Sequence, residues 1–166
     1  MPSEPRPLRS ASVPWWSNAE WQQMKSDEGC PMCADGSLVT NEHSDLIAEL
    51  PFSFARLHRN QAQAGYCVVI LKGHATELHE LDHTRLAGFW YDVAAVGRAV
   101  TEIFQPVKID SLVMGHRCPH LHCHVYPQYA SDDPLKVVDI SAGSLRLRSE
   151  QRQDRISQLH QSIQGQ

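Results

Sequence analysis

At 166 residues, with 42% hydrophobic and 20% charged side chains, the chain has the composition of an ordinary soluble globular protein with one well-buried core. A formal net charge of -4 argues against a general binder of polymeric nucleic acid, and no apolar run approaches the roughly 20 residues needed to cross a bilayer. Five cysteines, an odd number without a secretory leader, speak against a disulfide framework and turn attention to metal or core roles.

Residues 1–14 are rich in Pro, Ser and Arg and are expected to form a flexible N-terminal arm. They hold no apolar stretch like that of a secretory signal, so the cytoplasm is the expected location. Residues 15–166 are expected to fold as a single domain, because no internal repeat or composition break divides them. Ser17-Asn18-Ala19-Glu20 reads as a capping box that opens a short helix, with Trp21 and Met24 on one side and an end near Gly29.

Cys30-Pro31-Met32-Cys33 follows. Such a pair can be half of a zinc site, a redox dithiol or two incidental core cysteines. A redox dithiol calls for a strand before it and a helix after it, whereas here a helix signature precedes and Gly36 follows. A zinc site would need two more ligands from far along the chain.

Residues 37–40, 45–50 and 52–58 read as short strands of a meander, separated by turn-like residues 41–44 and by Pro51. Residues 66–71, Tyr-Cys-Val-Val-Ile-Leu, form the strongest apolar run and predict a central strand with Cys67 in the core. Asp82 is the predicted N-cap of a long helix reaching about Phe104, with Leu86, Phe89, Trp90, Val93, Val96, Val100 and Ile103 at helical spacing. Pro106 stops it, and residues 107–114 alternate as a strand. Residues 115–119 then turn the chain. Asp132 and Asp133 sit in a solvated turn. Ser149 is the expected cap of a last helix over about 149–164, with Ile156, Leu159 and Ile163 on one narrow side.

Between these lies His120-Leu121-His122-Cys123-His124-Val125-Tyr126. Its period-two alternation predicts a half-buried strand with the three imidazoles on one face and Leu121, Cys123 and Val125 in the core. Neighbours on one strand face stand roughly 6 to 7 Å apart. That spacing is too wide for three rings of one strand to close around one tetrahedral metal, and it suits an extended anion such as a phosphate chain.

This strand resembles the signature of the histidine-triad family of nucleotide hydrolases and transferases. The likeness extends to the strand 66–71 with Gly73, His74, Leu78 and Leu81 after it, and to the Cys30 and Cys33 pair, which is similar to that of the family's zinc-bearing branch. Residues 115–119 and 126–134 look like the bacterial branch termed diadenosine tetraphosphate hydrolase-like. The resemblance runs over about 30–134 and implies an α+β fold: a five-stranded antiparallel sheet with one long helix and a C-terminal helix, paired as a homodimer. It implies that His122 attacks the α-phosphorus of a nucleotide to give a covalent nucleotidyl-histidine, with His124 as a phosphate donor. Substrates of this type are nucleoside phosphoramidates, dinucleoside polyphosphates and related adenylylated compounds. It further implies a structural Zn2+ on Cys30, Cys33, His74 and His120, and substrate contacts from His58, His116, Arg117 and Gln128.

The last four positions, with Tyr66, depart from the residues common in the family, which leaves nucleobase and leaving group open. Two other readings stand beside this one: a zinc-stabilised nucleotide-binding or regulatory module with little catalysis, and a zinc-dependent hydrolase using metal-activated water.

Overall fold

The computed structural model describes residues 15–166, so the arm expected at 1–14 lies outside the described residues. Its elements are α1 (Asn18–Met24), α2 (Pro31–Asp35), β1 (Ser44–Glu49), β2 (Ser53–His58), β3 (Cys67–Leu71), α3 (His83–Phe104), β4 (Lys108–Val113), β5 (His122–Gln128) and α4 (Ser149–Gln164). The strands form one antiparallel sheet in the order β1-β2-β3-β5-β4, the expected α+β arrangement.

Alternation along the strands sorts the side chains onto two faces. Ala55, Leu57, Cys67, Val69, Leu71, Leu121, Cys123 and Val125 meet Phe89, Val93, Val96 and Val100 of α3 and Leu159 and Ile163 of α4 in the main core. Burial pushes the Cys123 thiol up to about 11, in keeping with an inert core cysteine. The opposite face carries Tyr66, Val68, Ile70 and Tyr126, with Met32, Val138 and Ile140 packed on them. The histidine strand is therefore covered on both sides: His120, His122 and His124 are 2%, 5% and 9% exposed, not the half-exposed file that alternation suggested. Strand pairing also begins at His122, so His120 belongs to the approach to β5.

The capping box forms as expected, with Ser17 Oγ accepting from Glu20 N and the Glu20 carboxylate accepting from Ser17 N. α1 nevertheless ends at Met24, and a turn carries the chain to Gly29. A Cβ at Gly29 would stand 2.3 Å from Gln23 O, so only glycine lets the chain fold back there to present Cys30. Pro31 then opens α2, a short helix absent from the expected elements; its ring fits the first helical position, where an N–H has no partner.

Residues 37–40 do not form a strand and contribute only one bridge, between Thr40 and Asp45. The reason is Arg56, fully buried on β2, whose guanidinium donates to Gly36 O, Leu38 O and Ser44 O at 2.7, 2.6 and 3.1 Å. A side chain has taken the carbonyls that a ladder would use.

Asp82 caps α3 through Arg85 N, and Gln105 ends it in the left-handed region at φ 51° before Pro106. Trp90 leaves the core stripe and stands exposed on the flank of α3. Ser149 is not the cap of α4: Arg148 holds that position, with Gln151 Oε1 accepting from its backbone N–H. α4 packs on its own sheet, where the His160 ring bonds Ile47 O.

Candidate active site and metal centre

Gly73, at φ +70°, turns the chain just past β3 and delivers His74 to the N-terminal cysteines. Cys30 Sγ lies 3.3 Å from His120 Nδ1, and Cys33 Sγ lies 3.4 Å from His120 Nδ1 and 3.3 Å from His74 Nδ1. The four ligand atoms all fall within 4.8 Å of one another. In a tetrahedral zinc site a sulfur and a nitrogen stand about 3.6 Å apart, given Zn–S near 2.3 Å and Zn–N near 2.05 Å, so the spacing fits.

The tautomers fit as well. His74 Nε2 donates to Lys25 O at 2.7 Å and His120 Nε2 to Leu71 O at 2.9 Å, which places both lone pairs on Nδ1, facing the thiols. The donor set, two sulfurs and two imidazoles with no place left for a water ligand, is that of a structural zinc site. Cys30, Cys33, His74 and His120 thus come together as expected.

Cys118 was not singled out by the sequence. It sits beside the cluster, where the influence of its thiol, ahead of that of His120, draws the Cys30 thiol below its usual range, while burial pushes Cys33 up. Its position two residues before His120 was the available signal.

His122 Nδ1 donates to His120 O at 2.5 Å, which leaves the Nε2 lone pair free. Burial pulls the His122 pKa down, so the ring is neutral near pH 7. The His124 ring stands 4.9 Å from it at 76°. Burial first, then the charges of His122, His58 and Arg117, push His124 down to about 3. His124 Nδ1 is 2.7 Å from the Tyr66 hydroxyl, and Tyr66 is stacked on His58 at 4.3 Å. Asn60 N donates to His58 Nδ1 at 3.1 Å. Two neutral imidazoles side by side, one with a free lone pair, can supply a nucleophile and a hydrogen-bond donor.

The remaining expected contacts scatter. Arg117 is exposed in the turn before β5, close enough for its charge to bear on His124, Tyr66 and Asp139. His116 offers its carbonyl to Trp16 Nε1 at 2.9 Å. Gln128 does not join the cluster: its amide donates to Asp110 Oδ2 across the β4–β5 pair. Asp132 is more than a solvated turn, since its carboxylate accepts from Tyr129 N and Gln63 Nε2.

The HIT domain family model matches residues 39–131. A histidine triad protein from Bradyrhizobium japonicum superposes with a TM-score of 0.65 at 23% identity, covering 74% of this chain and 92% of its own. One from Marinobacter aquaeolei gives 0.65 at 16%, covering 74% and 90%. A Zn-bound histidine triad family protein from Mycobacterium smegmatis gives 0.61 at 19%, covering 84% and 96%. No curated protein sequence matches the chain.

Two outcomes are expected from this site. Free Zn2+ at a hundred times its Kd raises the stability of metal-free protein by about 2.7 kcal/mol, and Cys33→Ser abolishes that gain in urea titrations followed by circular dichroism. The second concerns acid. The folded pKa of His124 lies below its unfolded value of 6.5, so its contribution is complete above pH 6.5 and is lost as pH falls toward 3. Over that range the stability difference between the native protein and His124→Asn shrinks by up to about 1.4 kcal/mol per pH unit.

Proposed function

Since residues 39–131 match the HIT domain and the chain belongs to that family, we propose that it is a nucleotide hydrolase or nucleotidyltransferase acting at an α-phosphate. The observation that carries the reading is the His122 ring, neutral, with Nδ1–H committed to His120 O and Nε2 free. In the proposed reaction Nε2 attacks the α-phosphorus, a phosphorus–nitrogen bond forms, and the bond to the leaving group breaks. Water or another acceptor then attacks the same phosphorus and returns the electron pair to Nε2. His124 donates to a phosphate oxygen as charge builds, a kind of contact whose deletion elsewhere costs about 2.7 to 4 kcal/mol.

The substrates proposed are nucleoside phosphoramidates, dinucleoside polyphosphates and related adenylylated compounds. Arg117 stands where a guanidinium can grip an anionic leaving group. His58 and His116 are proposed as further substrate contacts, and Gln128 contributes once its bond to Asp110 is exchanged for one to substrate. Zn2+ on Cys30, Cys33, His74 and His120 is structural and takes no part in the transfer.

The chain is further proposed to pair as a homodimer. β4 is an edge strand, and beside it exposed Trp90 of α3 stands over Ile109 and Ser111 in an open groove. No described helix is long and apolar enough to cross a membrane.

Trapping tests the chemistry. Incubation with a nucleoside phosphoramidate and rapid acid-free quenching yields a nucleotidyl adduct on His122 by mass spectrometry, and His122→Ala lowers kcat by at least about 10³-fold. Full turnover in that variant, with no adduct in the native protein, rules the mechanism out. Tight nucleotide binding without turnover supports the binding-module reading instead. For the dimer, sedimentation velocity gives a two-chain species that Trp90→Glu converts to one chain; an unchanged native monomer overturns the pairing.

A further inference from the structure

One buried polar group has no part in the transfer chemistry described above: the phenol of Tyr66. It is 2% exposed, and its ring is fixed between His58, stacked at 4.3 Å and 27°, and Tyr126, edge-on at 5.1 Å and 70°. With the ring held on two sides, the hydroxyl cannot swing away from His124 Nδ1, its sole hydrogen-bond partner among the described residues at 2.7 Å. The contact therefore has one geometry and two possible directions.

If His124 carried its proton on Nδ1, that N–H would donate to the phenol oxygen. The Tyr66 O–H would then be buried with no acceptor, and Nε2 of His124 would turn a lone pair toward the phosphate face. If Tyr66 donates, both atoms of the contact are satisfied: the phenol O–H has its acceptor in Nδ1, and His124 keeps its proton on Nε2. Burial also keeps the phenol protonated, so it is available as a donor throughout the neutral range.

We propose that Tyr66 is a positioning residue whose hydroxyl, by donating to His124 Nδ1, fixes the Nε2–H tautomer and makes His124 a hydrogen-bond donor to the transferring phosphate. The purpose of that donor rests on the nucleotidyl-transfer reading; the tautomer itself does not. The phenol forms no bond to the phosphate and exchanges no proton in the reaction. Its effect is to exclude the tautomer of His124 that would repel a phosphate oxygen.

Long-range 1H–15N spectra of the histidine rings of uniformly labelled, zinc-loaded full-length protein test this directly, with His124 assigned by its disappearance in His124→Asn. In the native protein His124 shows a protonated Nε2 and a lone pair on Nδ1. In Tyr66→Phe, with amide dispersion retained, both tautomers are populated. With a nucleoside phosphoramidate that the native protein cleaves, kcat of the variant falls roughly 10- to 100-fold while KM changes little. A native Nδ1–H tautomer overturns the proposal without any variant. So does a Tyr66→Phe protein that keeps both the tautomer and kcat. If the native protein cleaves no nucleotide, the transfer reading falls, while the ring spectra still decide the direction of the Tyr66 bond.

Discussion

His120 is the residue on which the rest of the site depends, because its polar atoms are committed in three directions at once. Nδ1 faces the Cys30 and Cys33 sulfurs, Nε2 donates to Leu71 O at the end of β3, and the backbone carbonyl accepts the proton of His122 Nδ1. The last bond gives the neighbouring ring a free Nε2 lone pair, since an imidazole presents a lone pair on one nitrogen only when its proton is held on the other. The first two fix the residue that supplies that carbonyl. The geometry of the metal cluster and the orientation of the His122 ring thus meet in one residue.

The histidines of this small region differ in where the ring proton sits, and the partner of each ring shows it. A neutral imidazole carries its single proton on one nitrogen and a lone pair on the other. Carbonyl acceptors at Nε2 turn the Nδ1 lone pairs of His74 and His120 toward the thiols. A carbonyl at Nδ1 gives His122 a free Nε2. A donor at Nδ1, the Tyr66 hydroxyl in the bond direction proposed, leaves the proton of His124 on Nε2. One residue type thus presents lone pairs in some places and an N–H in others, and backbone carbonyls decide most of the difference.

The sequence showed the sheet and the long helix because each rests on a local period; the Cys30 and Cys33 pair stood out by ligand type, but His74 and His120 were joined to it only through the resemblance to the histidine-triad family. Period two marked β5 correctly, but it could not say that the polar face is also covered: that cover comes from Met32 and from Val138 and Ile140, distant in sequence and irregular in backbone. Residues 37–40 looked like a strand because propensity is local, whereas the guanidinium that takes Leu38 O, and Gly36 O just before the segment, sits almost twenty residues away. Trp90 fits the helical stripe, yet its ring lies on the flank of α3, where the stripe broadens past the sheet edge. Gln128 shares a face with His122 and His124 by alternation, and only the register of β4 reveals the competing bond to Asp110.

The N-terminal segment shows why the metal cluster matters beyond its own ligands. α1 and α2 bury none of their own residues, and helices of seven and five residues are far too short to hold themselves together in water. What attaches them is a few polar ties: Trp16 Nε1 to His116 O, Lys25 O to His74 Nε2, and the two thiols to His74 and His120. Two of these ties end on proposed metal ligands and the third on the turn that leads into β5. Met32, carried between the two cysteines, packs on the Tyr66, Val68, Ile70 and Tyr126 cluster. Covering the histidine face is therefore coupled to closing the cluster, so a metal bound there would also help set the dielectric around His122 and His124.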